Sequence, residues 1–224
     1  MSRRTVKAMI RALLYSSAFA IVFPASAAVI LSPQAVVSNS AGDFGAGFTI
    51  ANTIDGSGLP AFTSGVTDFD DYLASNPLHS FNPGTEWFSP ENGVRTSTII
   101  YDLGGSYLIT KMALWNEDAG GLTDVTVSGC SDSVCSSATT LLSLTALTDN
   151  ADTANYPADV LDISDFTTSY VRLVVNGPQN AARWNGLAMG EVAFAFAAAV
   201  PEPGTLALLG LGLAGLAVGR RRKQ

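Results

Sequence analysis

The class of fold follows from one short segment, Tyr170-Val171-Arg172-Leu173-Val174-Val175. Val171, Leu173 and Val175 fall on one side of an extended chain, and the residues between them fall on the other. Successive side chains of a β-strand point to opposite faces, so this two-residue period predicts a strand with one buried face. The segment Gly190–Phe196 shows a similar alternation and predicts a second strand.

The chain between Ala28 and Phe196 shows no sustained helical period. Runs rich in Val, Ile, Thr and aromatic residues are separated by Gly, Asn, Asp and Pro, which is the pattern of many short strands. This spacing favours a β-sandwich or a barrel over a fold built of βαβ units. The other predicted strands are Ala35–Val37, Phe48–Ile50, Thr98–Asp102, Ile109–Asn116, Asp124–Ser128, Thr140–Leu147 and Asp159–Ile163.

The segment from Gly56 to Gly84 departs from this pattern because it is long, acidic and aromatic. We expect Asp68–Ala74 to form one or two helical turns within it. Loops of this length are usually functional or poorly ordered. Its aromatic residues, of which Tyr72 is one candidate, either stack on a sugar ring or pin the segment to the domain.

The cations of the chain are concentrated at its two ends. The bases between Ala28 and Val200 are Arg95, Lys111, Arg172 and Arg183. The same span holds 18 of the 19 acids, so four bases against 18 acids give it a formal charge of −14. Nucleic acid is excluded as a natural partner, because neutralising phosphates requires clustered Lys and Arg. The charge is compatible with a secreted protein that meets divalent cations or neutral sugars.

Residues 1–27 have the three parts of an export signal. These are a positive region with Arg3, Arg4, Lys7 and Arg11, an apolar core from Ala12 to Phe23, and the cleavage motif Ala25-Ser26-Ala27. Ser2-Arg3-Arg4 resembles a twin-arginine signal, but the bulky pair that should follow is incomplete, which favours ordinary Sec export. We expect signal peptidase to remove this segment.

The C-terminal end has the composition of a temporary membrane anchor. Val200-Pro201-Glu202-Pro203 precedes an apolar run, Thr205–Gly219, and the basic residues Arg220–Lys223. As a helix, about 15 residues span about 22 Å, which is short of the ~20 residues of a stable crossing. Basic residues remain on the cytoplasmic side, so the preceding domain lies on the other side. The alternative is a buried C-terminal helix of a soluble domain.

The order of these parts resembles the PEP-CTERM sorting signal of Gram-negative bacteria. The matching motif is Val200, Pro201, Glu202 and Pro203, and the resemblance covers residues 199–224. It implies transient insertion in the inner membrane and cleavage by an exosortase-type membrane protease. The mature protein is then expected at the cell surface or in the extracellular matrix.

Several clusters in residues 28–198 resemble the discoidin-like domains of the coagulation-factor C-domain type. They are, in order, Ala51-Asn52-Thr53-Ile54-Asp55-Gly56, Glu86-Trp87, Ile100-Tyr101-Asp102-Leu103-Gly104, Tyr170-Val171-Arg172-Leu173 and Gly190-Glu191-Val192. The resemblance implies an all-β fold, an eight-stranded jelly-roll β-sandwich of the galactose-binding-like class. We expect it to be flanked by an N-terminal signal helix and a C-terminal apolar helix.

The resemblance also implies a structural Ca²⁺ site. In the family, the loop of the first motif and a glutamate near the last strand meet at one edge and hold the ion. The matching residues here are Asn52, Asp55 and Glu191, and their carboxylate and amide oxygens suit this hard cation. The alternative is that Asp55-Gly56 makes a tight turn and Glu191 caps a strand edge.

Trp184 is the residue that we expect to bind sugar, together with Arg183, Asn185 and, from the long acidic segment, Tyr72. The loop-like composition of Gly177–Gly186 suggests an exposed ring. An aromatic face stacks on a pyranose while amide and guanidinium groups bond its hydroxyls. Trp87 and Trp115 are expected to fill the core instead.

Cys130 and Cys135 are the only cysteines in the chain. An exported protein occupies an oxidising compartment, so their close spacing favours a local disulfide. Two free thiols and a metal-binding pair are the alternatives. Metal is disfavoured because the sole histidine, His79, is far away in sequence.

Together these features predict an exported, non-catalytic surface or matrix protein that binds carbohydrate, such as exopolysaccharide, through loops at one end of a sandwich. His79 has no Ser or Cys partner motif, and Gly-x-Ser-x-Gly is absent from the sequence. One alternative is a purely structural biofilm component without a small-molecule site. The other is a carbohydrate-active enzyme that uses a pair among the many carboxylates.

Overall fold

A computed structural model describes residues 27–82, 84–151 and 153–197. The predicted signal helix and the predicted apolar C-terminal helix lie outside the described residues, as do the sorting-motif residues Val200, Pro201, Glu202 and Pro203. Within the described ranges, no helix is both long enough and apolar enough to cross a membrane.

The described part of the chain is built almost entirely of antiparallel strands. They are β1 (Ala28–Leu31), β2 (Ala35–Asn39), β3 (Trp87–Phe88), β4 (Thr96–Asn116), β5 (Asp124–Cys130), β6 (Ala138–Thr145), β7 (Ala158–Asn176) and β8 (Ala188–Ala197). A 3-10 helix, Ile50–Thr53, and a short α-helix, α1 (Phe69–Ala74), complete the fold. The prediction of an all-β, eight-stranded sandwich is confirmed.

The two long strands, β4 and β7, pair with each other over nearly their whole length and run through both layers of the sandwich. In one layer, the first half of β4 pairs with β2, while the second half of β7 pairs with β5, which carries β6. In the other layer, the second half of β4 pairs with β8, which carries β1 and β3. The register of β4 against β7 shifts between Asp102 and Tyr107. There Gly104 has a φ of 77°, a conformation that glycine adopts without strain.

Most of the predicted strands are correct in position but too short, while Thr140–Leu147 is displaced by two residues from the observed β6. Thr98–Asp102 and Ile109–Asn116 are both parts of β4, and Asp159–Ile163 and Tyr170–Val175 are both parts of β7. Between the two predicted segments of each long strand, the register shifts but the strand does not end. A β-bulge allows such a shift because it adds a residue to one strand without ending the pairing.

The strand predicted at Phe48–Ile50 is wrong, because the 3-10 helix begins at Ile50. The amide of Ile50 donates to Oδ1 of Asp43 at 2.9 Å instead of joining a strand ladder. The helical turns predicted at Asp68–Ala74 are confirmed as α1. The N-cap Asp68 accepts a hydrogen bond from the amide of Asp71 at 2.8 Å, which is typical of helix starts.

The main core lies between the two layers. Val171, Leu173 and Val175 are fully buried, as their alternation predicted, and they belong to the same apolar cluster as Leu114 and Phe194 from the other layer. Burying each such side chain stabilises the fold by roughly 1.5–3 kcal/mol. Trp87 and Trp115 are buried as expected and donate through Nε1 to the carbonyls of Gly42 and Pro77.

A second apolar cluster covers the outer face of β8. Ala193 and Ala195 point away from the main core and contribute to a cluster that includes Phe69 and Tyr72 of α1. The small side chains of β8 allow this helix to pack closely on the strand. The long acidic segment therefore serves as a cover, and β8 is buried on both faces.

Replacing Val171 by Ala should lower the free energy of unfolding by about 2 kcal/mol, because two buried methylene equivalents are lost at about 0.8 kcal/mol each and a cavity is left. Val160→Ala makes the same change in the same strand at a side chain that is 50% exposed, and should cost less than about 0.5 kcal/mol. Urea denaturation of both variants measures the difference. Equal losses would contradict the inward direction of Val171.

Candidate functional site

Loops gather at the end of the sandwich where β8 begins, and backbone hydrogen bonds join them. The amide of Phe44 donates to the carbonyl of Phe88, and the amide of Gly93 donates to that of Asn185, both at 2.8 Å. The amide of Ala188 donates to the carbonyl of Gly120, also at 2.8 Å. We call this region the loop end. Its connections hold four separate parts of the chain in one fixed arrangement.

Aromatic rings pack together on the loop end, and we call them the aromatic cluster: Phe44, Phe48, Phe88 and Trp184. The ring centroid of Trp184 lies 4.8 Å from that of Phe44 and 4.9 Å from that of Phe88, with interplanar angles of 88° and 80°. Edge-to-face contacts of this kind are favoured by the charge distribution of aromatic rings. Trp184 is half-buried, whereas Phe44 is 49% exposed. The cluster therefore presents an apolar surface to solvent.

Gly120 lies directly behind Trp184. A Cβ at position 120 would lie 2.8 Å from Cδ1 of the indole, so only glycine lets the ring take this place. The indole Nε1 is buried, and among the residues that the structure describes it has no hydrogen-bond partner.

Polar groups flank the aromatic cluster. Nη2 of Arg95 donates to Oδ1 of Asn185 at 2.8 Å, which fixes the orientation of the amide. Arg183 and Trp184 lie in one turn, since both of their amides donate to the carbonyl of Asn180 at 3.0 and 3.1 Å. Both arginines are exposed. The loop end therefore combines apolar rings with amide and guanidinium donors.

The structure brings together three of the four predicted sugar-binding residues, namely Trp184, Arg183 and Asn185. Tyr72 does not lie with them. It belongs to α1, where its hydroxyl donates to the carbonyl of Pro60 at 2.8 Å and its ring lies 5.2 Å from that of Phe62. Its position on the outer face of β8 makes it part of the cover.

Sequence reasoning missed Phe44 and Arg95. Phe44 lies between Gly42 and Gly47, which have φ angles of 76° and 89°. A glycine-rich turn that contains an aromatic residue is a signal for an exposed ring, but the predicted strand begins only after this turn, at Phe48. Arg95 gave no local signal, because its partner Asn185 is 90 residues away.

Of the predicted calcium ligands, the structure brings Asp55 and Glu191 together. The fully buried Glu191 accepts from the amide of Gly56 with both carboxylate oxygens at 3.1 Å. Burial raises the pKa of Glu191 to about 9, and the nearby carboxylate of Asp55 adds to the rise. Two neighbouring carboxylates suit a hard divalent cation.

Asn52 fits a calcium site less well than the two carboxylates. Its Nδ2 donates to the carbonyls of Gly47 and Glu86 at 2.9 and 2.8 Å, so the amide ties two loops together. Its Oδ1 accepts from the hydroxyl of Thr49 at 3.4 Å.

A second acidic group, which the sequence did not reveal, lies close to the loop end. Oxygen atoms of Glu86, Glu117 and Asp118 all lie within 4.8 Å of one another, and all three residues are buried. Glu117 accepts from the amides of Ala119 and Gly120 at 2.7 and 2.6 Å. Burial raises the pKa of Glu86 to about 7 and that of Glu117 to about 9. We call these three residues the buried acid group.

His79 and Tyr156 stack beside the buried acid group, with ring centroids 5.2 Å apart. The hydroxyl of Tyr156 donates to Oε1 of Glu86 at 2.6 Å. Burial lowers the pKa of His79 to about 4. Nδ1 of His79 lies 2.9 Å from the carbonyl of Ser80, so the neutral ring donates from Nδ1.

Cys130 and Cys135 form a disulfide in the structure, with an Sγ–Sγ distance of 2.16 Å. It closes the turn between β5 and β6. Cys130 is paired in register with Tyr170, whereas the other end of β5 is paired with Asn176, which precedes the loop of Trp184. The disulfide and the loop end therefore lie at opposite ends of β5.

The C-terminal residues provide a match to a known family. Residues 199–223 match the family described as the PEP-CTERM protein-sorting motif. The chain carries a PEP-CTERM motif. No curated protein sequence matches the chain. The motif indicates export and sorting across the membrane toward the cell surface.

Solved structures resemble the domain in fold. A mutant of chitosan-binding module 1 from a chitosanase/glucanase of Paenibacillus sp. IK-5 is 20% identical, with a TM-score of 0.52 over 75% of this chain and 98% of the module. The family 32 carbohydrate-binding module of NanJ from C. perfringens, solved with galactose, is 10% identical, with a TM-score of 0.50 over 75% and 99%. Truncated AlyQ, with CBM32 and alginate lyase domains, is 20% identical, with a TM-score of 0.50 over 79% and 35%. The domain has the discoidin-like fold of family 32 modules.

In a chelating buffer, the free energy of unfolding should fall as the pH rises from about 6.5 to about 9. The folded carboxyls of Glu86, Glu117 and Glu191 keep protons that the unfolded chain has already released, so unfolding releases protons in this range. His79 acts in the opposite direction, but only between about 4 and 6.5. Thermal melting at several pH values measures the slope.

Glu117→Gln should reduce that slope, because a neutral amide oxygen still accepts from the loop amides and does not ionise. Glu91→Gln is the matched control at an exposed glutamate and should leave the slope unchanged. Stability that rises with pH between 6.5 and 9 would contradict the raised pKa values.

Proposed function

We propose that the domain is a non-catalytic carbohydrate-binding module that acts at the cell surface or in the extracellular matrix. The observation that carries this proposal is the partly exposed aromatic cluster with amide and guanidinium donors beside it on the loop end. The fold supports it, because the relatives of the same fold include a chitosan-binding module and a domain solved with galactose.

Sugar binding at the loop end rests on two kinds of contact. The exposed ring of Phe44, supported from the side by Trp184, offers an apolar face to a pyranose. Asn185, held by Arg95, offers its remaining hydrogen-bonding capacity to sugar hydroxyls. Since backbone hydrogen bonds already fix these loops, little conformational entropy is lost on binding.

Export is part of the same proposal. The PEP-CTERM motif supports cleavage by an exosortase-type membrane protease after transient insertion in the inner membrane. Signal peptidase and the export machinery would act on residues 1–27. The disulfide between Cys130 and Cys135 agrees with an oxidising compartment.

A bound Ca²⁺ is a further part of the proposal. Asp55 and Glu191 would hold it, and its charge would neutralise two neighbouring carboxylates of which one is fully buried. The ion would stabilise the turn at Gly56, whose amide already binds Glu191. We assign it no part in a reaction.

Phe44→Ala should weaken glycan binding by about tenfold or more, a loss of about 1.4 kcal/mol. The matched control is Phe81→Ala, which removes a ring that is 40% exposed in the long acidic segment. Trp184→Ala should also lose binding, because it removes the support of Phe44. A glycan array followed by titration calorimetry with the glycans that bind provides the measurement.

Loss of binding in Phe81→Ala and not in Phe44→Ala would move the site to the acidic segment. If the folded wild-type protein bound no glycan, the proposed function would fail, and a purely structural surface component would be the remaining hypothesis.

Adding Ca²⁺ at 100 times its Kd should raise the free energy of unfolding by about 2.7 kcal/mol. Glu191→Gln should remove this gain, because it deletes one of the two charges that would bind the ion. Glu117→Gln is the control that tells the two acidic sites apart. A gain that survives Glu191→Gln but is lost in Glu117→Gln would place the ion at the buried acid group instead.

A further inference from the structure

We propose that Glu117 is a positioning residue for glycan binding: it holds the loop against which Trp184 packs, and binding weakens when its carboxyl group ionises. This inference rests on the proposed function and concerns how the same site is regulated. It is carried by the hydrogen bonds of residues 117–121, which we call the support loop, and by the groups that surround Glu117.

The support loop follows directly after β4, and the side chain of its first residue closes it. Oε2 of Glu117 accepts from the amide of Ala119 at 2.7 Å and from the amide of Gly120 at 2.6 Å. Because one oxygen atom accepts both hydrogen bonds, the loop keeps this shape only while the carboxyl group stays in place.

The support loop contacts the segment that carries Trp184 at three points. The carbonyl of Gly120 accepts from the amide of Ala188 at 2.8 Å, and the carbonyl of Gly121 accepts from the amide of Gln179 at 2.7 Å. Between these two bonds, Gly120 packs against the indole, since a Cβ at this position would lie 2.8 Å from Cδ1 of Trp184. The support loop therefore holds both ends of the segment and the ring in its middle.

The carboxyl group of Glu117 lies among other buried groups, none of which carries a positive charge in the neutral pH range. Oxygen atoms of Glu86 and Asp118 lie within 4.8 Å of it. Tyr156 donates to Glu86 at 2.6 Å, and His79 stacks on Tyr156. Burial lowers the pKa of His79 to about 4, so this ring is neutral. Ionised Glu117 would therefore meet repulsion and no balancing cation.

These surroundings favour the protonated form of Glu117. Burial raises its pKa to about 9, and the neighbouring carboxyl groups of Asp118 and Glu86 add to the rise. Arg183, the one charged residue between Gln179 and Ala188, is exposed, where solvent and salt screen its charge.

Opening of the support loop would release this constraint. In water the same carboxyl group titrates near its ordinary pKa of 4.5. Between the two pKa values, the closed loop holds a proton that the open loop has released, so each pH unit favours opening about tenfold. Raising the pH from about 6.5 to about 9 therefore shifts the support loop toward an open form.

An open support loop no longer holds Trp184 against Phe44. The observed Kd for a glycan equals the intrinsic Kd divided by the fraction of molecules with a closed loop. Glycan binding should therefore weaken as the pH rises, while the strands remain folded. If Glu117 served stability alone, its ionisation would leave the affinity of the folded protein unchanged.

An array of neutral glycans, followed by titration calorimetry with those that bind, tests the inference on the mature, processed protein. Both are run at about pH 6 and about pH 9 in a chelating buffer, and a neutral glycan keeps its own charge. We expect at least about tenfold weaker binding at the higher pH. Glu117→Gln should remove most of this difference, because an amide oxygen still accepts from Ala119 and Gly120. Glu91→Gln, at an exposed glutamate, should keep it.

Near-UV circular dichroism at both pH values establishes that each variant is folded. If Glu117→Gln does not fold, Asp118→Asn decides in its place. This variant removes one carboxylate that repels ionised Glu117, so it should reduce the loss of binding at the higher pH. A loss as large as that of the wild type would overturn the inference.

The other outcomes separate this inference from the function on which it rests. Equal affinity of the wild-type protein at both pH values would overturn the inference and leave carbohydrate binding in place. The same holds for a loss of binding that folded Glu117→Gln retains in full, or one that Glu91→Gln abolishes. An array without bound glycan at either pH would overturn the proposed function itself, and the inference with it.

Discussion

The pairing of β4 with β7 is the constraint on which the rest of the structure depends. These strands are the only two in the described part of the chain that run through both layers, and β2, β5 and β8 each pair with one of them. Their register also positions the loop end. Thr96 is paired with Asn176, and the amide of Gly177 donates to the carbonyl of Arg95 at 3.1 Å. The loops of Arg95 and Trp184 therefore leave the sheet from the same point, and a shift in register would separate them.

The interior of this domain is unusually acidic. Glu86, Glu117, Asp118 and Glu191 are buried, and no Lys or Arg is buried among the residues that the structure describes. An isolated buried charge is costly, so Glu86, Glu117 and Glu191 are stabilised when a proton or a cation neutralises them. The loop that contains Glu117 also contains Gly120, against which Trp184 packs. A change in the protonation of Glu117 could therefore reach the aromatic cluster through the loop that contains Gly120.

Features that depend on residues close together in the sequence could be predicted from it. The alternation in Tyr170–Val175 predicted the strand and its buried face. The linear order of charges and apolar residues predicted the sorting motif at residues 199–223. The composition of its own loop predicted an exposed ring at Trp184, whereas the ring is half-buried against Phe44 and Phe88. Features that depend on long-range register were not predicted: the contact of Arg95 with Asn185 and the meeting of Glu86 with Glu117 arise from the pairing of strands.

The pairing of β1 with β8 brings the two ends of the described domain next to each other. Ala28 is paired with Ala197, so the chain enters and leaves the folded unit side by side. β8 runs for ten residues from Ala188 at the loop end to Ala197, a length of about 33 Å. The chain therefore continues beyond Ala197 from the end of β8 that lies farthest from the aromatic rings. An attachment through the C-terminal residues, as the proposed function has it, would hold the domain by the end opposite its aromatic rings.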